Sequence, residues 1–291
     1  MTYTTLISAV QLARLTQDQP ALPVAIFDCS FDLKEPIAGY QAFVASHISN
    51  AIYANLNAVL SSHSANAASG GRHPLPTREA FAAWAASVGM TQDAQAVVYD
   101  RNGSNYCGRL WWMFKWIGHH DVAVLDGGFQ AWEAFGGAVM SGSQAHKLGA
   151  FSAARMPVRP SDYQLVTADQ VAAGIGRGTQ TLIDARAAVR FRGEVEPLDL
   201  AAGHIPGALN RPFSANIGND GLFKPAALLK SEFEALLAGR DPATVVHHCG
   251  SGVSALPNLL AMQIAGLGTT ALYAGSWSDW CSQADRPVAK G

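Results

Sequence analysis

Of the four cysteines in the chain, Cys29, Cys107, Cys249 and Cys281, one opens a run whose residue types point to chemistry: Cys249-Gly-Ser-Gly-Val-Ser254. Two glycines within four residues let the backbone curl tightly and turn its N–H groups inward. Thr244-Val-Val246 precedes the run and reads as a buried strand; Leu256 to Ile264 follows it as an apolar helix. That helix aims its positive end at the loop. Both effects favour an anion at the loop centre and the thiolate form of a cysteine held there. A thiolate so placed is a nucleophile for covalent catalysis. The competing reading is a cysteine packed at a strand end, since core cysteines are common. Packing alone explains neither the glycines nor the place between strand and helix.

Other cysteine chemistries fit less well. A cysteine phosphatase needs Cys-x5-Arg to hold the phosphate oxygens, and the position that would carry the arginine is Ala255. The loop is also short for a phosphate cradle. His247-His248-Cys249 alternates across a strand, so its three side chains do not converge on one metal ion. No CxxC pair marks a zinc knuckle or a dithiol redox site. No metal is expected. His119-His120 reads as a loop feature before a strand. With no GxGxxG after a strand and no phosphate-binding lysine motif, no organic cofactor is expected either.

The elements that must position Cys249 recur. Val24-Ala-Ile-Phe27 ends in Asp28, Ala96-Val-Val-Tyr99 in Asp100, and Val122-Ala-Val-Leu125 in Asp126-Gly-Gly128; Arg109 to Ile117 between the last two is apolar nearly all round. These read as short buried strands alternating with helices, the pattern of a parallel sheet. Near the start, Leu6, Val10 and Leu15 form a loose helical stripe. Downstream, Thr181-Leu-Ile183 ends in Asp184, and Ala271-Leu-Tyr273 ends in Ala274-Gly275. Ser46-His-Ile-Ser-Asn-Ala51 aligns with Gly203-His-Ile-Pro-Gly-Ala208, and Asp126 to Trp132 aligns with Ala274 to Trp280. The chain is a duplicated α/β unit of about 130 residues. The expected boundaries are a first copy over 1–140, a linker over 141–161 rich in glycine and proline, and a second copy over 162–291.

Composition agrees with a folded chain. Of 291 residues, 49% are apolar and 14% charged, which gives ample core and too few charges for disorder. A net charge of -2 provides no basic field for nucleic acid. No run is long enough to span a membrane, and the start has no secretion-signal pattern. Four cysteines without a disulfide framework point to the cytoplasm.

The cysteine loop resembles that of 3-mercaptopyruvate sulfurtransferases, and the tandem copies resemble the two-domain rhodanese superfamily. Asp184-Ala-Arg186, Arg190-Phe-Arg-Gly-Glu-Val-Glu-Pro197, Gly203-His-Ile-Pro-Gly-Ala208 and Tyr273-Ala-Gly-Ser-Trp277 carry the rest of the likeness. The resemblance implies two tandem rhodanese-like α/β domains, each a mainly parallel sheet with helices on both faces, only the second catalytic. It implies sulfur transfer through a Cys249 persulfide from a small-molecule donor to cyanide, a thiol or a protein thiol such as thioredoxin. Gly250, Ser251, Gly252, Val253 and Ser254 would hold the anionic sulfur, and Arg190 the donor's charge. Against the last stands a surface arginine paired with Glu194 or Glu196. Ser251 would donate to the donor's carbonyl or cap the next helix. His73, in Gly71-Arg-His-Pro-Leu-Pro76, resembles a first-domain histidine that reaches the active site. Arg186 looks structural, paired with a nearby acid.

Two departures bear on the donor. Asn55 and Asn57 stand where the family has acids, which weakens a proton relay through His73. The segment after Glu196-Pro197 lacks the second arginine usual in mercaptopyruvate enzymes, a feature nearer to thiosulfate sulfurtransferases. Those, however, place basic residues directly after the cysteine, where this chain has Gly250 and Ser251. Mercaptopyruvate is therefore the expected donor, with thiosulfate the alternative. A non-turnover sulfur carrier or interaction module is the more distant one. In the first copy the matching loop is Tyr99 to Ser104, with Arg101 near the place of Cys249. Cys107 and Cys29 read as packed.

Overall fold

The structure, a computed structural model, describes residues 2–17, 23–143 and 156–291. Residues 144–155 of the expected linker lie outside them. The described chain forms two compact units. The first comprises Met1–Ser62, Pro76–Ser161 and Asn219–Leu222; the second comprises His63–Leu75, Asp162–Gly218 and Phe223–Gly291. Residues 63–75, which the repeat pattern puts in the first copy, thus pack with the second unit.

The first unit runs β1 (Leu6–Ile7), α1 (Ala9–Gln17), β2 (Val24–Asp28), α2 (Ala38–Ala45), β3 (His47–Ile48) and β4 (Ile52–Tyr53). It continues with α3 (Arg78–Ser87), β5 (Gln95–Tyr99), α4 (Cys107–Trp116), β6 (Val122–Leu125), α5 (Gly128–Phe135) and β7 (Val139–Met140). Its sheet is parallel, in the order β1-β6-β5-β2-β4. Successive strand residues face opposite ways. Ile26 joins a core with Leu12 of α1, Phe43 of α2 and Trp132 of α5. Phe27 meets Trp84 of α3 and Phe114 of α4, with ring centroids 5.8 and 5.7 Å away. Helices therefore cover both faces. The expected stripe of Leu6, Val10 and Leu15 is not the buried face of α1: Leu6 pairs with Val124 in the sheet, Val10 is exposed, and Ala9, Leu12 and Ala13 are buried.

The second unit repeats the plan with α6 (Ala168–Gly174), β8 (Thr181–Asp184), α7 (Ala188–Phe191), β9 (Leu209–Asn210) and α8 (Ala226–Leu237). Then come β10 (Val245–His248), α9 (Leu256–Ile264), β11 (Ala271–Leu272) and α10 (Ser276–Trp280). The sheet order is β11-β10-β8-β9, again parallel. Val246 packs with Val171 and Trp277, while the next residue, His247, reaches Met262 of α9. Burial pushes the His247 imidazole down to about 3. The duplication extends to single side chains. His47 Nδ1 lies 2.7 Å from the Phe43 carbonyl with its ring stacked on Phe43; His204 Nδ1 lies 2.8 Å from the Phe191 carbonyl with its ring stacked on Phe191.

Candidate active site

Parallel strands β8 and β10 are neighbours, with Asp184 opposite His248 at their carboxyl ends. Ligands of open parallel sheets bind beyond such ends. Cys249 is the next residue. Its N–H donates to Ser276 Oγ (3.1 Å), and its carbonyl accepts from Trp277 N–H (2.9 Å). The Gly250 carbonyl accepts from Ser278 N–H at 2.9 Å. These bonds pin the start of the loop to α10. Gly252 has φ +71°, and a methyl group there would lie 2.2 Å from the Ala274 carbonyl oxygen. Only glycine meets both demands. The N–H groups of Gly250, Ser251, Val253 and Ser254 have no hydrogen-bond acceptor among the described residues.

The first unit shows what this loop shape holds. Cys29 N–H donates to the Tyr99 carbonyl as Ala185 N–H does to that of His248, and Phe129 N–H donates to Asp100 as Trp277 N–H does to Cys249. By these bonds Asp100, not Arg101, is the counterpart of Cys249. Arg101, which the sequence puts near that place, is the next residue along. The Asp100 carboxylate accepts from the N–H groups of Asn102 (2.8 Å), Ser104 (3.0 Å), Tyr106 (2.8 Å) and Cys107 (2.9 Å). Burial pushes this carboxyl above its ordinary value, against the pull of the four donors. Arg101 turns back to Asp28 Oδ2 (2.7 Å) and Ser30 Oγ (2.6 Å). Burial also pushes the Cys29 and Cys107 thiols well above their ordinary value, as packed cysteines require.

Around Cys249 the second unit gathers charge. Arg186 grips Asp184 through Nε and Nη2 (3.0 and 2.7 Å to Oδ2), reaches Glu196 with Nη1 (3.2 Å) and lies over the Trp277 ring. Its structural role agrees with the sequence reading. Burial works against the charged form of Asp184, but His248 and Arg186 outweigh it and hold the carboxyl below its ordinary value. Arg190 donates to Glu196 (Nη2–Oε1, 2.6 Å) and to Asp199 (Nη2–Oδ2, 3.0 Å). The pairing with Glu196 weighed in the sequence is thus present, and Asp199 joins it. One nitrogen is left over: Nη1 would lie 3.5 Å from a methyl group built on Gly250.

The remaining side chains come from residues 63–75. A methyl group on Gly70 would lie 2.3 Å from Asp279 Oδ1, and one on Gly71, at φ +86°, 2.4 Å from the Gly275 carbonyl oxygen. The two glycines let this segment lie directly on residues 275–279. The Arg72 N–H donates to Ser278 Oγ (3.0 Å), and Arg72 Nη1 donates to Asp199 Oδ1 (2.5 Å). His73, buried, is hydrogen-bonded through Nδ1 to Ser251 Oγ at 2.8 Å. Asn55 does other work: its Oδ1 accepts from Asn57 and Ala58 N–H (2.9 and 3.0 Å), closing its own turn. Arg72, which sequence reasoning missed, has no local signal beyond its place beside His73.

Comparison with known proteins agrees with the duplicated parallel-sheet fold. The rhodanese-like domain family matches residues 8–135 and again 167–283. A Pseudomonas aeruginosa protein named for 3-mercaptopyruvate sulfurtransferase activity is 41% identical over 98% of both chains. A Mycobacterium tuberculosis protein named for thiosulfate sulfurtransferase activity is 37% identical over 98% of this chain and 97% of its own. The crystal structure of SseA from Escherichia coli, a 3-mercaptopyruvate sulfotransferase, superposes with TM-score 0.77 at 29% identity, covering 95% of this chain and all of that one. The chain, with two copies of one parallel-sheet unit and a cysteine loop at the strand ends of the second, belongs to the rhodanese-like family.

Proposed function

We propose that this protein is a 3-mercaptopyruvate sulfurtransferase. The observation that carries the reading is the pair of equivalent loops. One is closed around its own Asp100 carboxylate; in the other, which begins at Cys249, the N–H groups of Gly250, Ser251, Val253 and Ser254 have no acceptor among the described residues. In the first half-reaction the Cys249 thiolate attacks the donor's sulfur. The new S–S bond forms as the donor's C–S bond breaks, and the electron pair leaves on carbon as the enolate of pyruvate. Cys249 is then a persulfide. In the second half-reaction a thiol, a protein thiol such as thioredoxin, or cyanide removes the outer sulfur and restores the thiolate. The loop N–H groups from Gly250 to Ser254 stabilise sulfur as an anion at both stages. Ser251 Oγ, hydrogen-bonded to His73, is the donor group for the carbonyl oxygen that becomes the enolate.

The charges favour a monoanionic donor. Arg72, Arg186 and Arg190 face Asp184, Glu196 and Asp199 in one linked group of ion pairs. Positive and negative side chains are equal in number, so a dianion such as thiosulfate finds no surplus charge, whereas a single carboxylate needs only the unpaired guanidinium edges. The thiosulfate-named relative supports thiosulfate as the second reading. The free state of all four cysteines is consistent with a reducing cytoplasm, and among the described residues no helix is long and apolar enough to cross a membrane. Steady-state turnover of 3-mercaptopyruvate and thiosulfate, side by side, tests the proposal. A higher kcat/KM for 3-mercaptopyruvate is expected, with none for Cys249→Ser. A higher value for thiosulfate overturns the donor assignment, and wild-type turnover by Cys249→Ser overturns the mechanism.

A further inference from the structure

We propose that the outer face of residues 189–200 is the docking surface for the sulfur acceptor, and that this acceptor is a protein with a reduced thiol at the edge of an apolar patch. The proposal rests on the sulfurtransferase reading for its reaction and on the segment's own pattern for the surface. A surface segment ordinarily turns its charges outward and its apolar groups inward. This one does the reverse. The Glu196 and Asp199 carboxylates are buried, held by Arg186, Arg190 and Arg72. Val195, Leu198 and Leu200, which flank them, are 52%, 47% and 86% exposed. Val189 is exposed as well, and its carbonyl accepts from the N–H groups of Glu194 (3.0 Å) and Val195 (3.3 Å), which brings the two valines together. Four of the twelve large apolar side chains exposed among the described residues thus fall in this one segment. Its place follows from Arg190, the neighbour of Val189: Nη1 would lie 3.5 Å from a methyl group built on Gly250, the residue after Cys249. A protein seated on the apolar face therefore lies beside the reactive loop. Cys249 is buried, so a protein thiol reaches it only when the two surfaces press together, whereas cyanide or a small thiol needs no such surface. In the step served, the acceptor thiolate attacks the outer sulfur of the Cys249 persulfide. The S–S bond breaks, its electron pair returns to Cys249 Sγ as the thiolate, and the acceptor becomes the persulfide. Charge and size narrow the occupant. The exposed Arg192 is paired with the exposed Glu194 (2.6 Å), and the acids beneath are paired too, so the face offers no net charge and matches an apolar partner. Four side chains fall far short of the roughly 20–30 residues a side of a stable interface, too few for a lasting dimer of this chain and suited to an encounter that ends at each turnover.

Steady-state release of pyruvate from 3-mercaptopyruvate, with cyanide, dithiothreitol or reduced thioredoxin as acceptor, separates the surface from the chemistry. The variants are Leu200→Met and the double change Leu198→Ser with Leu200→Ser. Both leucines are exposed, so Tm is expected to hold. Burying one exposed leucine against a partner corresponds to about a 10- to 100-fold change in affinity. The double variant is expected to lower kcat/KM for thioredoxin by at least about 10-fold and to leave cyanide and dithiothreitol within about twofold. Leu200→Met, which keeps the apolar area, is expected to retain the wild-type value. Added salt is expected to leave the thioredoxin value unchanged, as an uncharged face requires. A thioredoxin-to-dithiothreitol ratio that stays at the wild-type value in the double variant overturns the surface. So does wild-type enzyme that uses dithiothreitol and not thioredoxin. A dimer in sedimentation that the double variant loses would assign the face to a second copy and overturn the proposal as well. Titration of isotope-labelled reduced thioredoxin, read by its NMR shifts, needs no turnover: shifts with wild type and none with the double variant are expected. Wild-type enzyme that turns over neither donor with any acceptor would overturn the sulfurtransferase reading instead, and the titration would still decide on the surface.

Discussion

Asp100→Asn tests the idea that this loop shape is built to hold an anion. The two carboxylate oxygens divide the four donors: Oδ1 takes Asn102 and Ser104, and Oδ2 takes Tyr106 and Cys107. Asparagine keeps the shape and replaces one oxygen with an NH2 group, so two buried N–H donors then face another donor. Leaving a buried donor unsatisfied costs about 1–3 kcal/mol. Two such losses amount to roughly 2–6 kcal/mol, a large share of the ~5–15 kcal/mol that holds a folded protein together. For a unit of this size that is a fall in Tm of about 5–20 °C. The assay is calorimetry of wild type and variant at neutral pH, with sulfur transfer measured well below the transition. The unit carrying Asp100 is expected to melt earlier while transfer persists. Melting at the wild-type temperature would refute the claim that the loop's N–H groups need a negative charge at their centre, and with it the argument carried over to Cys249.

Two other outcomes follow from the same geometry. Arg190→Ala should lower kcat/KM for 3-mercaptopyruvate by roughly 10- to 100-fold with little change in Tm, because Glu196 keeps Arg186 and Asp199 keeps Arg72; unchanged donor efficiency would remove Arg190 from the site. Stability should fall as pH drops below the ordinary histidine value of 6.5. Burial holds the His247 and His119 imidazoles down to about 3 and about 4, so in that interval the unfolded chain binds more protons than the folded one. Thermal melts across that range check it, and a flat Tm would contradict the burial of neutral histidines.

Much of this was legible in the sequence because it is local. The helix Leu256–Ile264, the strand ending before Cys249 and the glycine pair of its loop are written within some twenty residues. The duplication was legible because each copy must solve the same packing problem, down to a histidine stacked on its own phenylalanine. What the sequence hid is long-range. Leu6 reads as the first residue of a helical stripe until Val124 pairs with it. Asp199 looks like a surface acid until Arg72, 127 residues away, closes on it beside Arg190. Arg72 has no periodicity or spacing tying it to Cys249; two glycines folding residues 63–75 onto residues 275–279 bring it there. Letters alone put Arg101 only near the place of Cys249; the backbone bonds of Asp100 and Cys249 fix the correspondence to the residue.

The central claim is that Cys249 carries sulfur between donor and acceptor. Incubating the protein with 3-mercaptopyruvate and no acceptor, followed by mass spectrometry of the Cys249 peptide, tests it most directly. The expected result is a gain of one sulfur atom on that peptide, with pyruvate released in equal amount, and loss of the sulfur on adding cyanide as thiocyanate appears. No gain with 3-mercaptopyruvate or thiosulfate, or the sulfur found on Cys29, Cys107 or Cys281, would contradict it; a gain that no acceptor discharges would make the protein a carrier.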